Sequence, residues 1–185
     1  MSKTDVHAEP ASGTAAPSRL AVVTPWISVL ARLVLGGVLV VAAIAKLSQS
    51  PAEQVRAVRA YQLLPHGVDA AVAYTLPFVE LVLAIALIVG VATRIAAVAS
   101  GVLMLAFVIG VASVWARGLS IDCGCFGGGG PVEPGETRYL EEILRDIGLM
   151  VAAGWLAVVG PGRFALSSAM SRPSSSGEDL DRGEE

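Results

Sequence analysis

The chain has 185 residues, 54% of them hydrophobic and 16% charged, with a formal net charge of −3. Its mean hydropathy of +0.67 excludes an ordinary soluble domain and fits a polytopic membrane protein. The stretch Glu178–Glu185 holds five acids against Arg182, so the rest of the chain is about +1 and offers no strongly basic face to nucleic acid.

Residues 1–24 are rich in Ala, Ser, Pro and Thr without an apolar period and read as a disordered tail. Trp26–Ala45 is the first apolar segment, long enough to span at about 20 residues and interrupted by Arg32. Ala43-Ile44-Ala45 resembles a signal-peptide cleavage site, but the long preceding region and the internal Arg32 weigh against one. Ser50-Pro51-Ala52-Glu53 reads as a capping box with proline at the first helical position. The short helix it starts places Ala57, Ala60, Tyr61 and Leu64 on one face and ends at Pro65. It is expected to lie along the membrane surface, or else to pack on the bundle from outside the membrane.

Ala70–Val89 is the second span and carries Pro77 and Glu80; Ala92-Thr93-Arg94 leaves room only for a tight connection. Ile95–Trp115, uncharged and rich in small residues, is the third. After a Gly/Pro-rich loop, Glu141, Glu142, Arg145 and Asp146 lead into the fourth apolar segment, Ile143–Val159, which Gly160-Pro161-Gly162 ends. Residues 163–185 are Ser-rich, then acidic, and read as a second disordered tail. The expected fold is an all-α four-helix membrane bundle over residues 25–162, with a short amphipathic helix between spans one and two.

Between the third and fourth segments lies Ile121-Asp122-Cys123-Gly124-Cys125-Phe126-Gly127, which holds both cysteines of the chain. In extended chain, residues i and i+2 lie near the upper end of the ~4.4–6.8 Å Cα separation that a disulfide tolerates. Closure there is strained, and a strained disulfide is easily reduced. That favours electron exchange over stapling. A metal is a weaker reading, because two thiols fall short of the roughly four ligands zinc wants, and the two histidines, His7 and His66, are distant in sequence. Gly127–Gly130 lack the Gly-Lys-Ser/Thr that a phosphate loop needs, so they read as a hinge beside the thiols.

Four spans put both tails on one side and the cysteine loop with the amphipathic helix on the other. Lysines and arginines divide evenly between the two sides, so charge does not orient the chain. Disulfides persist in extracytoplasmic space; on that ground the termini are expected in the cytoplasm and the CGC loop outside. Arg32 and Glu80 are ionisable groups within apolar spans and mark a functional position. Counting from the span ends suggests that they pair, either to fix packing or to form a polar site for a quinone or proton. Lys46, Arg117 and Arg145 should gather on the membrane face bearing the thiols, where cations favour thiolate, with Asp122 acting in the opposite sense.

Several pieces together resemble the DoxX-like membrane proteins, and within them the MauE (methylamine-utilisation) branch. They are Arg32-Leu33-Val34-Leu35-Gly36, Ala45-Lys46-Leu47, Tyr61 with Leu63-Leu64-Pro65, Leu76-Pro77-Phe78-Val79-Glu80-Leu81, Cys123-Gly124-Cys125-Phe126-Gly127 and Leu144-Arg145-Asp146. Asp146 departs from the asparagine more usual there. The resemblance implies a four-helix membrane protein associated with thiol redox. Members are linked to maturation of methylamine dehydrogenase, whose small subunit is rich in disulfides, and relatives are often encoded beside thioredoxin-like proteins.

Two functions are carried forward. In the first, Cys123 and Cys125 exchange electrons with an extracytoplasmic thioredoxin-like or disulfide-containing partner, supported by Gly124, Phe126, Gly127, Lys46 and Arg145, with quinone as the membrane-side carrier. In the second, the chain is a non-catalytic assembly factor whose cysteines are dispensable. A small-solute carrier is disfavoured by the absence of an internal repeat.

Overall fold

A computed structural model describes residues 19–65, 67–160 and 162. The two tails read as disordered lie outside the described residues, apart from the start of the first helix. The elements in order are α1 (Arg19–Leu47), α2 (Pro51–Ala60), α3 (Val68–Val89), α4 (Thr93–Ala116), the strands β1 (Ile121–Asp122) and β2 (Gly130–Pro131), and α5 (Tyr139–Val159). Three of the helices are long and apolar enough to cross a membrane, over Val23–Leu47, Val68–Val89 and Thr93–Ala116. The fourth apolar segment is also helical, but α5 carries Glu142, Arg145 and Asp146 near its start and falls outside that set.

Packing is tightest where small residues let helices approach. A Cβ added at Gly36 would sit 2.8 Å from the Ile88 side chain and 3.3 Å from the Ala84 carbonyl, so α1 lies almost directly on α3. α4 and α5 pack along each other, and α5 also reaches α1. The central core joins Leu35 and Leu39 of α1, Ala84 and Leu87 of α3, Ala97 and Met104 of α4, and Leu149 and Leu156 of α5. Large aliphatic side chains face outward all round the bundle, as in Val82, Ile95, Val102 and Val158. Exposed apolar surface on this scale suits lipid and not water.

The capping box of α2 forms as read. Ser50 Oγ accepts from the Glu53 N–H, and the Glu53 carboxylate accepts from the Ser50 N–H at 2.8 Å. The helix packs on the bundle: Ala57 is buried, and Arg59 pairs with Asp69 at the start of α3. Asp69 in turn accepts from the N–H groups of Gly67 and Ala70 at 2.8 Å.

One departure from an all-α fold is the antiparallel ribbon of β1 and β2, pairing Ile121 with Pro131 and Asp122 with Gly130. Val132 extends it by donating to the Ser120 carbonyl at 3.0 Å. The ribbon turns the Gly/Pro-rich loop back on itself and closes residues 123–129 into a compact lobe. A smaller apolar cluster of Val111, Val114, Ile121 and Tyr139 anchors it to α4 and α5.

Candidate functional site

The lobe is pinned from every side. Asp122 accepts from the N–H groups of Gly124 at 3.4 Å and Gly129 at 3.2 Å, so its carboxylate ties the ends of the turn together. The Tyr61 hydroxyl, just past α2, donates to the Cys123 carbonyl at 2.9 Å. Tyr139 of α5 donates to the Leu119 carbonyl and accepts from the Ile121 N–H. Gln49 donates to the Gly128 carbonyl at 2.6 Å.

Glycine is required where α2 crosses the lobe. At Gly129, with φ +93°, a Cβ would fall 2.5 Å from the Cβ of Ala57, and at Gly124, with φ +69°, it would fall 3.3 Å from the same atom. Gly129→Ala is therefore expected to destabilise the protein by about 2 kcal/mol or more, from the left-handed backbone and the overpacked contact together. Thermal unfolding in detergent measures this, and an unchanged midpoint would mean that α2 does not rest on the lobe.

Lys46, at the end of α1, is the hub. Its Nζ donates to both oxygens of Glu80, at 2.9 and 3.1 Å, and to the Cys125 carbonyl at 2.8 Å. Glu80 is fully buried. The pairing expected of Arg32 with Glu80 is thus corrected: Lys46 takes Glu80, while Arg32 donates to the carbonyls of Leu87 at 2.9 Å and Ile88 at 3.0 Å. Side-chain direction explains the exchange. Helical Cβ atoms tilt toward the N-terminus, and α1 and α3 are antiparallel. Lys46 therefore leans into the membrane and Glu80 leans up to meet it. Arg32, on the same helix, leans the same way as Lys46 and so away from Glu80, toward the C-terminal carbonyls of α3, which lack helical partners and carry the negative end of its dipole.

The other expected residues take distinct places. Arg145 stacks on Phe126, 4.7 Å from the ring centroid, and pairs with buried Asp146 at 2.9 Å. Gly127 lies against Ala45 at the end of α1. Arg117 donates to the carbonyls of Ser113 and Tyr61, so it reaches the cysteines only through Tyr61. Glu142, which the sequence offered only as a charge at the head of α5, lies at the thiols. The Cys123 sulfur and the carboxylates of Asp122 and Glu142 are all within 4.8 Å of one another.

Both cysteines are free thiols, and the Cys125 N–H donates to the Cys123 sulfur at 3.3 Å. Their environments differ. Cys125 is 6% exposed and Cys123 more accessible. The hydrogen bond between the two sulfurs holds the Cys125 thiol below the ordinary range, with Lys46 and Arg145 helping and burial and Asp146 opposing. The same hydrogen bond, then burial and the charge on Cys125, push Cys123 well up.

No curated protein and no solved structure matches the chain. The family described as "Methylamine utilisation protein MauE" matches residues 24–159, from within α1 to the last residue of α5. The chain belongs to the MauE family.

Proposed function

We propose that this chain is a membrane thiol–disulfide exchange protein that oxidises an extracytoplasmic thioredoxin-like or disulfide-forming partner. The observation that carries this reading is the asymmetry of the pair: a half-buried Cys123 beside a buried Cys125, whose carbonyl accepts from Lys46 and whose N–H donates to the Cys123 sulfur. In the oxidised form, a partner thiolate attacks the Cys123 sulfur. The Cys123–Cys125 bond breaks, and Cys125 leaves as the thiolate; a thiol of low pKa leaves faster. The second partner thiol then loses its proton and attacks the partner sulfur of the mixed disulfide, releasing Cys123. Two electrons have moved from the partner dithiol to the CGC pair. Glu142, beside the Cys123 sulfur, accepts and returns the proton of Cys123. We extend this reading to the maturation of disulfide-containing proteins such as methylamine dehydrogenase.

The reading includes a fourth membrane span. On α5, Leu140, Leu144, Ile147, Val151, Trp155 and Val158 form an exposed stripe at helical spacing, while Asp146 is buried. Asp146 thus turns inward and Glu142 and Arg145 are half-buried, while Glu141 stays exposed in the first turn, leaving the face beyond it suited to lipid. On this reading the protein lies in the cell membrane with cytoplasmic termini and the CGC lobe outside, where disulfides persist.

Intact cells treated with a membrane-impermeant, mass-tagged maleimide test both parts. Two tags are expected after mild reductant and none after oxidation. Tagging only after permeabilisation would overturn the orientation. Thiols that never interconvert would overturn the exchange reading in favour of the assembly factor.

A further inference from the structure

A cavity of about 330 Å³ opens between α2, α3 and α4 directly under the CGC lobe. Leu76 of α3 and Ala106 and Phe107 of α4 form apolar wall, while Cys123, Cys125 and Lys46 face the same space. Ala106 is exposed at the outer surface of α4, so the cavity has a mouth on a helix that is apolar enough to face lipid. We propose that this cavity seats the head group of a lipid-borne quinone, which takes two electrons from the Cys123–Cys125 dithiol.

The inference rests on the exchange reading above, because only a reduced pair has electrons to give. It follows from the chemistry of the walls. Closing a disulfide releases two electrons and two protons together, so the acceptor must accommodate both. It must also prefer apolar surroundings and expose an electrophilic atom to sulfur. A quinone ring does all three, and the volume lies at the lower end of small-molecule sites, about 300–1,000 Å³. That suits a head group whose isoprenoid tail leaves through the mouth.

In the step proposed, the Cys125 thiolate adds to a ring carbon, and a carbonyl oxygen takes up a proton. Cys123 gives up its proton and attacks the Cys125 sulfur. The S–S bond forms as the S–C bond breaks, and its electron pair returns to the ring, whose second oxygen is protonated. The balance is two thiols and one quinone to one disulfide and one quinol. The Lys46 ammonium, on the cavity wall, stabilises the oxyanion as it develops.

The test uses the full chain, reduced, desalted without oxygen and mixed with decylubiquinone. Loss of quinone absorbance should match loss of titratable thiol, one quinone per pair. Ala106→Trp fills the cavity from an exposed position and is expected to slow quinone reduction about tenfold or more. Oxidation of dithiothreitol by the oxidised chain, read separately, should stay near wild type. Leu76→Trp is a second filling variant. Equal quinone rates in wild type and both variants, or no quinol from wild type, overturn the proposal while leaving the exchange reading intact. Should the oxidised wild-type chain fail to oxidise dithiothreitol, the exchange reading falls by itself. An azidoquinone then decides the cavity on a Cys123→Ser, Cys125→Ser chain, which also serves if neither tryptophan variant accumulates. Photolabel on α3 and α4 near Leu76 and Ala106 supports the site, and label confined to other surfaces overturns it.

Discussion

Lys46→Met is expected to destabilise the protein by about 3–5 kcal/mol, the range for removing one partner of a buried ion pair. Both oxygens of Glu80 receive their hydrogen bonds from Lys46 Nζ, and no part of Glu80 reaches solvent. Methionine has nearly the length of lysine and keeps the packing, so the loss isolates the charge. It leaves a carboxylate alone among apolar helices, where it can neither hydrate nor find a second cation. A Lys46→Met, Glu80→Leu double variant should recover much of the stability, since an apolar pair in place of a buried ion pair is often neutral or better. It should not recover thiol reactivity, because the Cys125 carbonyl has still lost its donor. Unfolding in detergent measures the first effect and alkylation of Cys125 the second. Strictly additive single-variant effects would mean that the two charges do not interact. An Arg32→Ala, Glu80→Ala pair should be close to additive, since Arg32 bonds to backbone carbonyls of α3 two turns away from Glu80.

That contrast shows where the sequence is legible. Runs of apolar residues locate α3, α4 and α5 to within about four positions of their observed ends, because a span needs length and little else, but α1 starts at Arg19, inside the stretch read as a disordered tail. The capping box at Ser50–Glu53 is equally plain, being a local device whose partners are three residues apart. The partnership of the buried charges depends on which way side chains lean and how two antiparallel helices are registered. Counting from the ends of apolar runs misplaces both. Lys46 terminates an apolar run and so reads as a surface cation, yet its side chain points back beneath the lobe. The ribbon of two-residue strands carries no periodicity to detect. Asp122 reads as a charge opposing thiolate formation, whereas its carboxylate is occupied by the N–H groups of Gly124 and Gly129. Glu142 sits beside Cys123 only because α5 packs against α4, a contact that no local pattern announces. Of the motifs quoted for the family resemblance, Lys46, Tyr61, Glu80, the CGC stretch and Arg145 meet around one loop.

Cys125→Ser and Cys123→Ser should behave oppositely, and each should reduce turnover by exchange on the order of a thousandfold or more, as loss of a group acting in a unit does. In Cys125→Ser, Cys123 keeps its place at the accessible edge and loses the neighbouring thiolate that raised its pKa. It can still attack a partner disulfide, and no second thiol remains to release the adduct. Mixed disulfides through Cys123 should therefore accumulate and be recovered as a covalent complex on non-reducing gels. In Cys123→Ser, the remaining sulfur is Cys125, which is buried and loses the S–H donor that lowered its pKa. Little mixed disulfide should form. Alkylation against pH in the wild-type chain gives an independent measure. The Cys125 midpoint should fall below the ordinary thiol value of about 8.5 and the Cys123 midpoint above it, because a thiol that donates to a neighbouring thiolate yields its proton later. The Cys125 midpoint should move up in Cys123→Ser, and the Cys123 midpoint down in Cys125→Ser. Mixed disulfides trapped through Cys125, or equally through both, would reverse or abolish the division of labour between the two sulfurs.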